Sequence, residues 1–174
     1  MIELEKTYLA KYLPDSLQTC KFKEVIDIYF PKASEHPSLR LRKNGNKFEM
    51  TKKEPVNDGD ASHMLEQTIV LTEAEFNALN GLDGKRVSKI RYYYDYNGNV
   101  AEVDVFQDAL KGLVVVDFEF TAMAEKDAFQ QMPDFCLADV TQETFLAGGM
   151  ICGKAYADVE DELKKFEYKK LFLK

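Results

Sequence analysis

The sequence predicts an α+β protein: an eight-stranded antiparallel closed β-barrel with a polar lumen, flanked by short helices and a C-terminal helix. Three observations lead there. Period-two alternation runs through the first two-thirds of the chain. Like-charged residues recur two apart, and so share a strand face, in Glu3/Glu5, Arg40/Arg42, Lys89/Arg91, Glu102/Asp104 and Asp117/Glu119. The opposite faces are apolar, as in Leu39/Leu41, Val103/Val105 and Val114/Val116/Phe118/Phe120. A single charged pair is ordinarily the solvent face of a strand. Several such pairs of uniform sign, each backed by an apolar face, describe a barrel turned inside out: charges line the lumen and helices cover the outer wall.

The elements follow in order. Strand-like runs cover 2–10, 22–31, 37–43, 47–53, 63–70, 86–96, 100–107 and 113–121. Asn44-Gly45-Asn46 and Asn97-Gly98-Asn99 read as tight hairpins, and Asp58-Gly59-Asp60 as a longer loop. Thr72 is an N-cap with Glu75 three residues on, which predicts a short helix to about Asn80. After residue 121 the pattern turns helical, with short helices over 123–131 and 141–147. A longer amphipathic helix is expected from Ala155 to Lys170.

Length and charge bound the function. A chain of 174 residues with 45% hydrophobic content suits one domain over residues 1–174. A net charge of −7 disfavours nucleic acid and anionic membranes. No apolar run reaches a membrane span of roughly 20 residues, and the acids Glu3 and Glu5 do not fit a signal peptide. The expectation is a cytoplasmic protein with no nucleic-acid or membrane partner; a homodimer is compatible with it. An outer-membrane barrel shares the polar-in, apolar-out pattern, but it has no place for the helical third. Cys20, Cys136 and Cys152 are expected reduced and buried, and His36 and His63 form no ligand spacing.

The enclosed charges suggest the ligand. Arg40, Arg42, Lys53, Lys89 and Arg91 are the basic set; Glu3, Glu5, Glu66, Glu102, Asp104, Asp117 and Glu119 are the acidic set. Enclosed charges must pair or bind ions. Arginine forks and lysines match phosphate oxygens, and carboxylates match hard cations such as Mg²⁺ or Mn²⁺. No P-loop glycine run occurs. A metal–polyphosphate site fits both sets.

The ordered series Glu3-Leu4-Glu5-Lys6-Thr7, Leu39-Arg40-Leu41-Arg42, Thr51-Lys52-Lys53, Lys89-Ile90-Arg91-Tyr92, Glu102-Val103-Asp104-Val105-Phe106, Lys111 to Glu119 and Asp139-Val140-Thr141 resembles the CYTH family of triphosphate tunnel metalloenzymes. Its members include thiamine triphosphatases, inorganic triphosphatases and class IV adenylyl cyclases. The resemblance implies an eight-stranded tunnel. Glu3, Glu5 and Glu119 would be metal ligands, with Asp117, Asp104, Glu102 and Glu66 in or near that set. Arg40, Arg42, Lys53, Lys89 and Arg91 would line the triphosphate path. The implied cofactor is Mg²⁺ or Mn²⁺, and the implied reaction is metal-dependent hydrolysis of inorganic triphosphate, thiamine triphosphate or a nucleoside triphosphate. Glu3, Glu5 and Lys53 are the candidate catalytic groups. Tyr29, on the strand face of Asp27, is a fourth candidate that would orient a water; its alternative is a packed core tyrosine. Lys154 is either a gate at one mouth or a solvated lysine.

The family signature is Glu-x-Glu-x-Lys, and its lysine falls at Thr7. Lys6 points to the other strand face, and a threonine has no accessible pKa for base catalysis. Two alternatives to hydrolysis therefore stay open: a class IV-type adenylyl cyclase, and a non-catalytic triphosphate- or nucleotide-binding protein.

Overall fold

The structure is a computed structural model and describes residues 2–56 and 61–173. The strands are β1 (Ile2–Ala10), β2 (Lys21–Phe30), β3 (Leu39–Asn44), β4 (Lys47–Pro55), β5 (His63–Leu71), β6 (Lys85–Tyr96), β7 (Asn99–Phe106), β8 (Val114–Phe120) and β9 (Cys136–Asp139). The helices are α1 (Glu73–Asn80), α2 (Met123–Ala128), α3 (Gly148–Ile151) and α4 (Tyr156–Lys164). Antiparallel pairing runs β5-β4-β3-β2-β6-β7-β8-β1, and β5 closes onto β1. The expected eight-stranded barrel is therefore present.

Closure depends on β1. Its first residues pair with β5, from Ile2↔Leu65 to Leu4↔His63. The two strands then part. The Glu5 amide donates to the Ser62 carbonyl at 3.4 Å, and the Thr7 amide donates to Thr141 Oγ1 at 3.0 Å. From Tyr8 onward β9 takes over the edge. One strand thus satisfies its backbone from successive neighbours, which closes the barrel along β1.

The alternation places the apolar faces outside. Tyr8, Val103, Val105, Val114, Val116 and Phe118 pack with Leu17 and Phe135 on one side of the barrel. Ile28 and Leu41 pack under Phe76 of α1 on another. Thr72 caps α1 as expected: the Glu75 amide donates to its hydroxyl, and the Glu75 carboxylate accepts from the Thr72 amide at 2.7 Å.

A third cluster fills one end of the tunnel. Leu9, Tyr29, Val87, Phe106 and Val115 are lumen-side residues from five strands, and they meet Ile151 of α3 and Tyr156, Val159 and Leu163 of α4. The lumen is a dead end on this side. Gly148 is required there, because a Cβ at that position would lie 2.0 Å from the Tyr29 hydroxyl oxygen.

The helical third differs from expectation. α2 ends at Ala128, not 131. The span 141–147 holds only a 3₁₀ turn over Thr144–Leu146, followed by α3. The expected long helix stops at Lys164. Glu167 adopts a left-handed φ of 57°, and the Tyr168 hydroxyl donates to the Gly112 carbonyl at 2.9 Å and accepts from the Val114 amide at 2.8 Å. That anchor turns the chain back along the barrel, so Lys170 is not helical. β9 was unanticipated. Cys136 and Cys152 are buried and all three thiols are free, but Cys20 is half-exposed. The Asp58-Gly59-Asp60 loop lies outside the described residues. Among those residues, no helix is long and apolar enough to cross a membrane.

Phe118 is 1% exposed on the outer wall against Tyr8, Tyr96 and Phe129. Phe118→Ala is expected to lower unfolding free energy by about 3–5 kcal/mol in urea denaturation. A cost below about 1 kcal/mol, the level of an exposed aromatic, would show that this face is not core.

Candidate functional site

The register places the charged residues on one inner face. In β1 the inward residues are Glu3, Glu5 and Thr7; Lys6 points out, where its amine donates to the Phe129 carbonyl. Glu5 pairs across to Glu119 and Thr7 to Asp117 in β8. Glu102 pairs to Asp117, Arg91 to Asp104, Asp27 to Arg42, Arg40 to Tyr29 and Lys53 to Glu66.

The inner part of this face is dry and its charges are paired. The Arg42 guanidinium grips Asp27 with both oxygens engaged, Nε to Oδ1 at 2.6 Å and Nη2 to Oδ2 at 2.8 Å. Arg91 grips Asp104 in the same way, with both bonds at 2.7 Å, and also donates to Glu102. Lys89 donates to Asp104 as well. Burial opposes ionisation of Asp104, but Arg91 and Lys89 outweigh it and hold the carboxyl well below its ordinary value. Asp27 is held low in the same manner by Arg42. Burial pushes Lys89 down in spite of Asp104, with Arg91 and Arg42 adding repulsion.

The outer part is rich in carboxylates and poor in cations. Lys53 pairs with Glu3 and lies 3.5 Å from Glu5. Burial raises Glu5 to about 7; Lys53 opposes this, while Glu3, Asp117 and Glu119 reinforce it. Burial likewise raises Glu102 to about 7 against the pull of Arg91, with Glu119 adding repulsion. Burial raises Glu119, with repulsion from Glu3. Asp117 is also raised, by burial and then by Asp104, although the Thr7 hydroxyl donates to it at 2.8 Å. Glu66 accepts from Thr68 Oγ1 at 2.8 Å.

These facts separate the expected residues. Arg42, Lys89 and Arg91 face inward, but their donors are already engaged by carboxylates. Asp27, named in the sequence only as the neighbour of Tyr29, is the buried partner of Arg42. Arg40 makes no ion pair among the described residues, and its Nε is buried without a hydrogen-bond partner. Tyr29 is buried in the apolar plug, touches Arg40 and has its hydroxyl raised by burial. It reads as a packing and positioning residue rather than a water-orienting one. Lys154 forms no ion pair among the described residues, and nothing in their arrangement makes it a gate.

No three carboxylate, histidine or cysteine groups among the described residues form a ready-made metal cage. The donor chemistry nevertheless fits a hard divalent cation: oxygen ligands only, in excess over cations, with their carboxyls raised chiefly by burial and further by mutual repulsion.

The CYTH domain model matches residues 9–131. The chain belongs to the CYTH family. The matched span begins after Glu3 and Glu5, so these two stand on the geometry above. An inorganic triphosphatase of Nitrosomonas europaea is 30% identical over 138 residues, 78% of this chain and 87% of the relative. The crystal structure of an inorganic triphosphatase superposes with TM-score 0.62 at 24% identity, covering 87% of this chain and 95% of that one. A putative adenylate cyclase from Bacillus halodurans superposes with TM-score 0.52 at 16% identity, covering 99% and 93%. Both structures bear on fold alone.

Because Glu5 and Glu102 sit near 7 when folded and near the ordinary glutamate value when unfolded, the folded CYTH barrel binds more protons between those values. Its stability without metal should therefore fall as pH rises from about 4.5 to about 7. Urea midpoints measured in EDTA across that window test this. Glu5→Gln should flatten the slope, and a midpoint that climbs with pH would contradict the carboxylate strain.

Proposed function

We propose that this CYTH protein is a divalent-metal-dependent triphosphatase, with inorganic triphosphate as its first substrate and residues 1–174 acting as one domain. The observation that carries the reading is the division of the inner face: excess carboxylates on β1, β7 and β8, and an uncommitted arginine, Arg40, on β3. The similarity to an inorganic triphosphatase supports it.

Glu3, Glu5 and Glu119 would hold the metal, with Asp117 and Glu102 beside them. A bound Mg²⁺ or Mn²⁺ supplies charge neutralisation at the phosphate oxygens and an acidified water. The chain's own residues do the rest. Arg40 and Lys53 bind and orient phosphate oxygens. Arg42, Lys89 and Arg91 form a rigid positive wall whose geometry is held by Asp27 and Asp104, so the field is present before substrate arrives. Lys53 stands against Glu3 and Glu5, where it supplies the cation that Thr7 does not. The apolar plug excludes water from the inner end.

Incubating the protein with tripolyphosphate and Mg²⁺ or Mn²⁺, with EDTA as control, should release phosphate only with metal. Cyclic AMP and pyrophosphate from ATP would favour the cyclase instead, and thermal stabilisation by tripolyphosphate without turnover would favour a binding protein. Arg40→Ala should weaken triphosphate binding about tenfold or more, since it removes a charge-assisted contact. An unchanged affinity would remove Arg40 from the ligand path. Thr7→Lys should raise the hydrolytic rate by returning an amine beside Glu5 and Asp117. Intact binding with no gain in rate would overturn the reading that the threonine at position 7 limits hydrolysis.

A further inference from the structure

We infer that Lys21, Lys23 and Tyr93 form an outer anion subsite at the open mouth, which holds the end of a linear polyphosphate longer than triphosphate. The inference rests on the lumen binding a triphosphate.

The register carries it. Along β2 and β6 the inward pairs run Asp27↔Val87, Val25↔Lys89, Lys23↔Arg91 and Lys21↔Tyr93. Same-face neighbours on a strand are roughly 7 Å apart, so the row of cations from Lys89 and Arg91 continues outward through Lys23 to Lys21. The inner cations are committed to Asp27, Asp104 and Glu102. Lys21 and Lys23 have no ion pair among the described residues. Glu102, which faces Tyr93 across β7, is already taken by Arg91. Outward-facing Glu24 lies 3.8 Å from Lys43.

Shape agrees. Thr19, Cys20, Lys21, Phe22, Lys23 and Tyr93 line an open depression of about 640 Å³ along the outer ends of β2 and β6. The inner end is filled by Leu9, Phe106, Val115 and the α3–α4 side chains. A ligand that outgrows the lumen can therefore extend only toward Lys23 and Lys21 on this wall. The occupant is anionic rather than aromatic, because Lys23 Nζ already lies over the Tyr93 ring, 5.4 Å from its centroid, where a base would stack.

The test uses the whole chain with both lysines changed, Lys21→Gln with Lys23→Gln, and the charge-reversed Lys21→Glu with Lys23→Glu. Calorimetry in EDTA compares tripolyphosphate, tetrapolyphosphate and ATP. Tetrapolyphosphate affinity should fall about tenfold in the glutamine variant and further in the glutamate variant. The fall for tripolyphosphate should be clearly smaller. Equal falls for both chains would reduce the lysines to general steering and overturn the subsite. A larger fall for ATP than for tetrapolyphosphate would overturn it in favour of a nucleotide. Absence of metal-dependent hydrolysis in the unaltered protein would defeat the triphosphatase reading alone, since the calorimetric comparison does not need turnover.

Discussion

The structure depends on compensating charge inside a barrel. A carboxylate or guanidinium removed from water costs several kcal/mol unless a partner is close. Here the cost is met differently along the lumen. The inner half meets it with Arg42–Asp27 and with Arg91 and Lys89 on Asp104, in bidentate or shared geometry. The outer half leaves it partly unmet, and Glu5 and Glu102 respond by holding protons near neutral pH. The first arrangement gives a rigid wall. The second leaves excess carboxylates that incoming cations would stabilise, which is the condition for the proposed metal binding to be coupled to stability.

The apolar plug gives that arrangement a direction. Without Tyr29, Phe106, Val115 and the α3–α4 side chains, water could reach Asp27 and Asp104 from behind, and their pairing would lose its low-dielectric setting. Gly148 marks how tightly the plug is made, since the Tyr29 hydroxyl occupies the space of its missing side chain. Tyr29 also touches Arg40, so the packing that seals the inner end positions an inward arginine that has no carboxylate partner among the described residues.

Much of this was legible in the sequence because a strand has only two faces. Once Glu3/Glu5, Arg40/Arg42 and Asp117/Glu119 alternate with apolar residues, the sides they take follow from local geometry, and so does the outward turn of Lys6. Partnership was not legible. That Asp27 rather than a phosphate meets Arg42 depends on the β2–β3 register, which alternation alone does not set. β9 is too short to show a period. The end of α4 is set by Tyr168 bonding at Gly112 and Val114, more than fifty residues away in the chain, so the amphipathic pattern through Lys170 ran past it.

Thr7 shows how a departure from a motif can be absorbed by the fold. A lysine there would stand opposite Asp117 and beside Glu5. Threonine instead donates one hydrogen bond to Asp117 and leaves the carboxylates short of positive charge. Lys53 reaches Glu3 and Glu5 from β4 because barrel closure brings the start of β1 against β5, whose other neighbour is β4. The cation is thus supplied from across the seam rather than from two residues along the strand. An amine held from another strand keeps its charge near the same carboxylates but approaches from a different side. Its effect on the proposed phosphate ligand therefore depends on closure of the β1–β5 seam, which three pairs hold among the described residues.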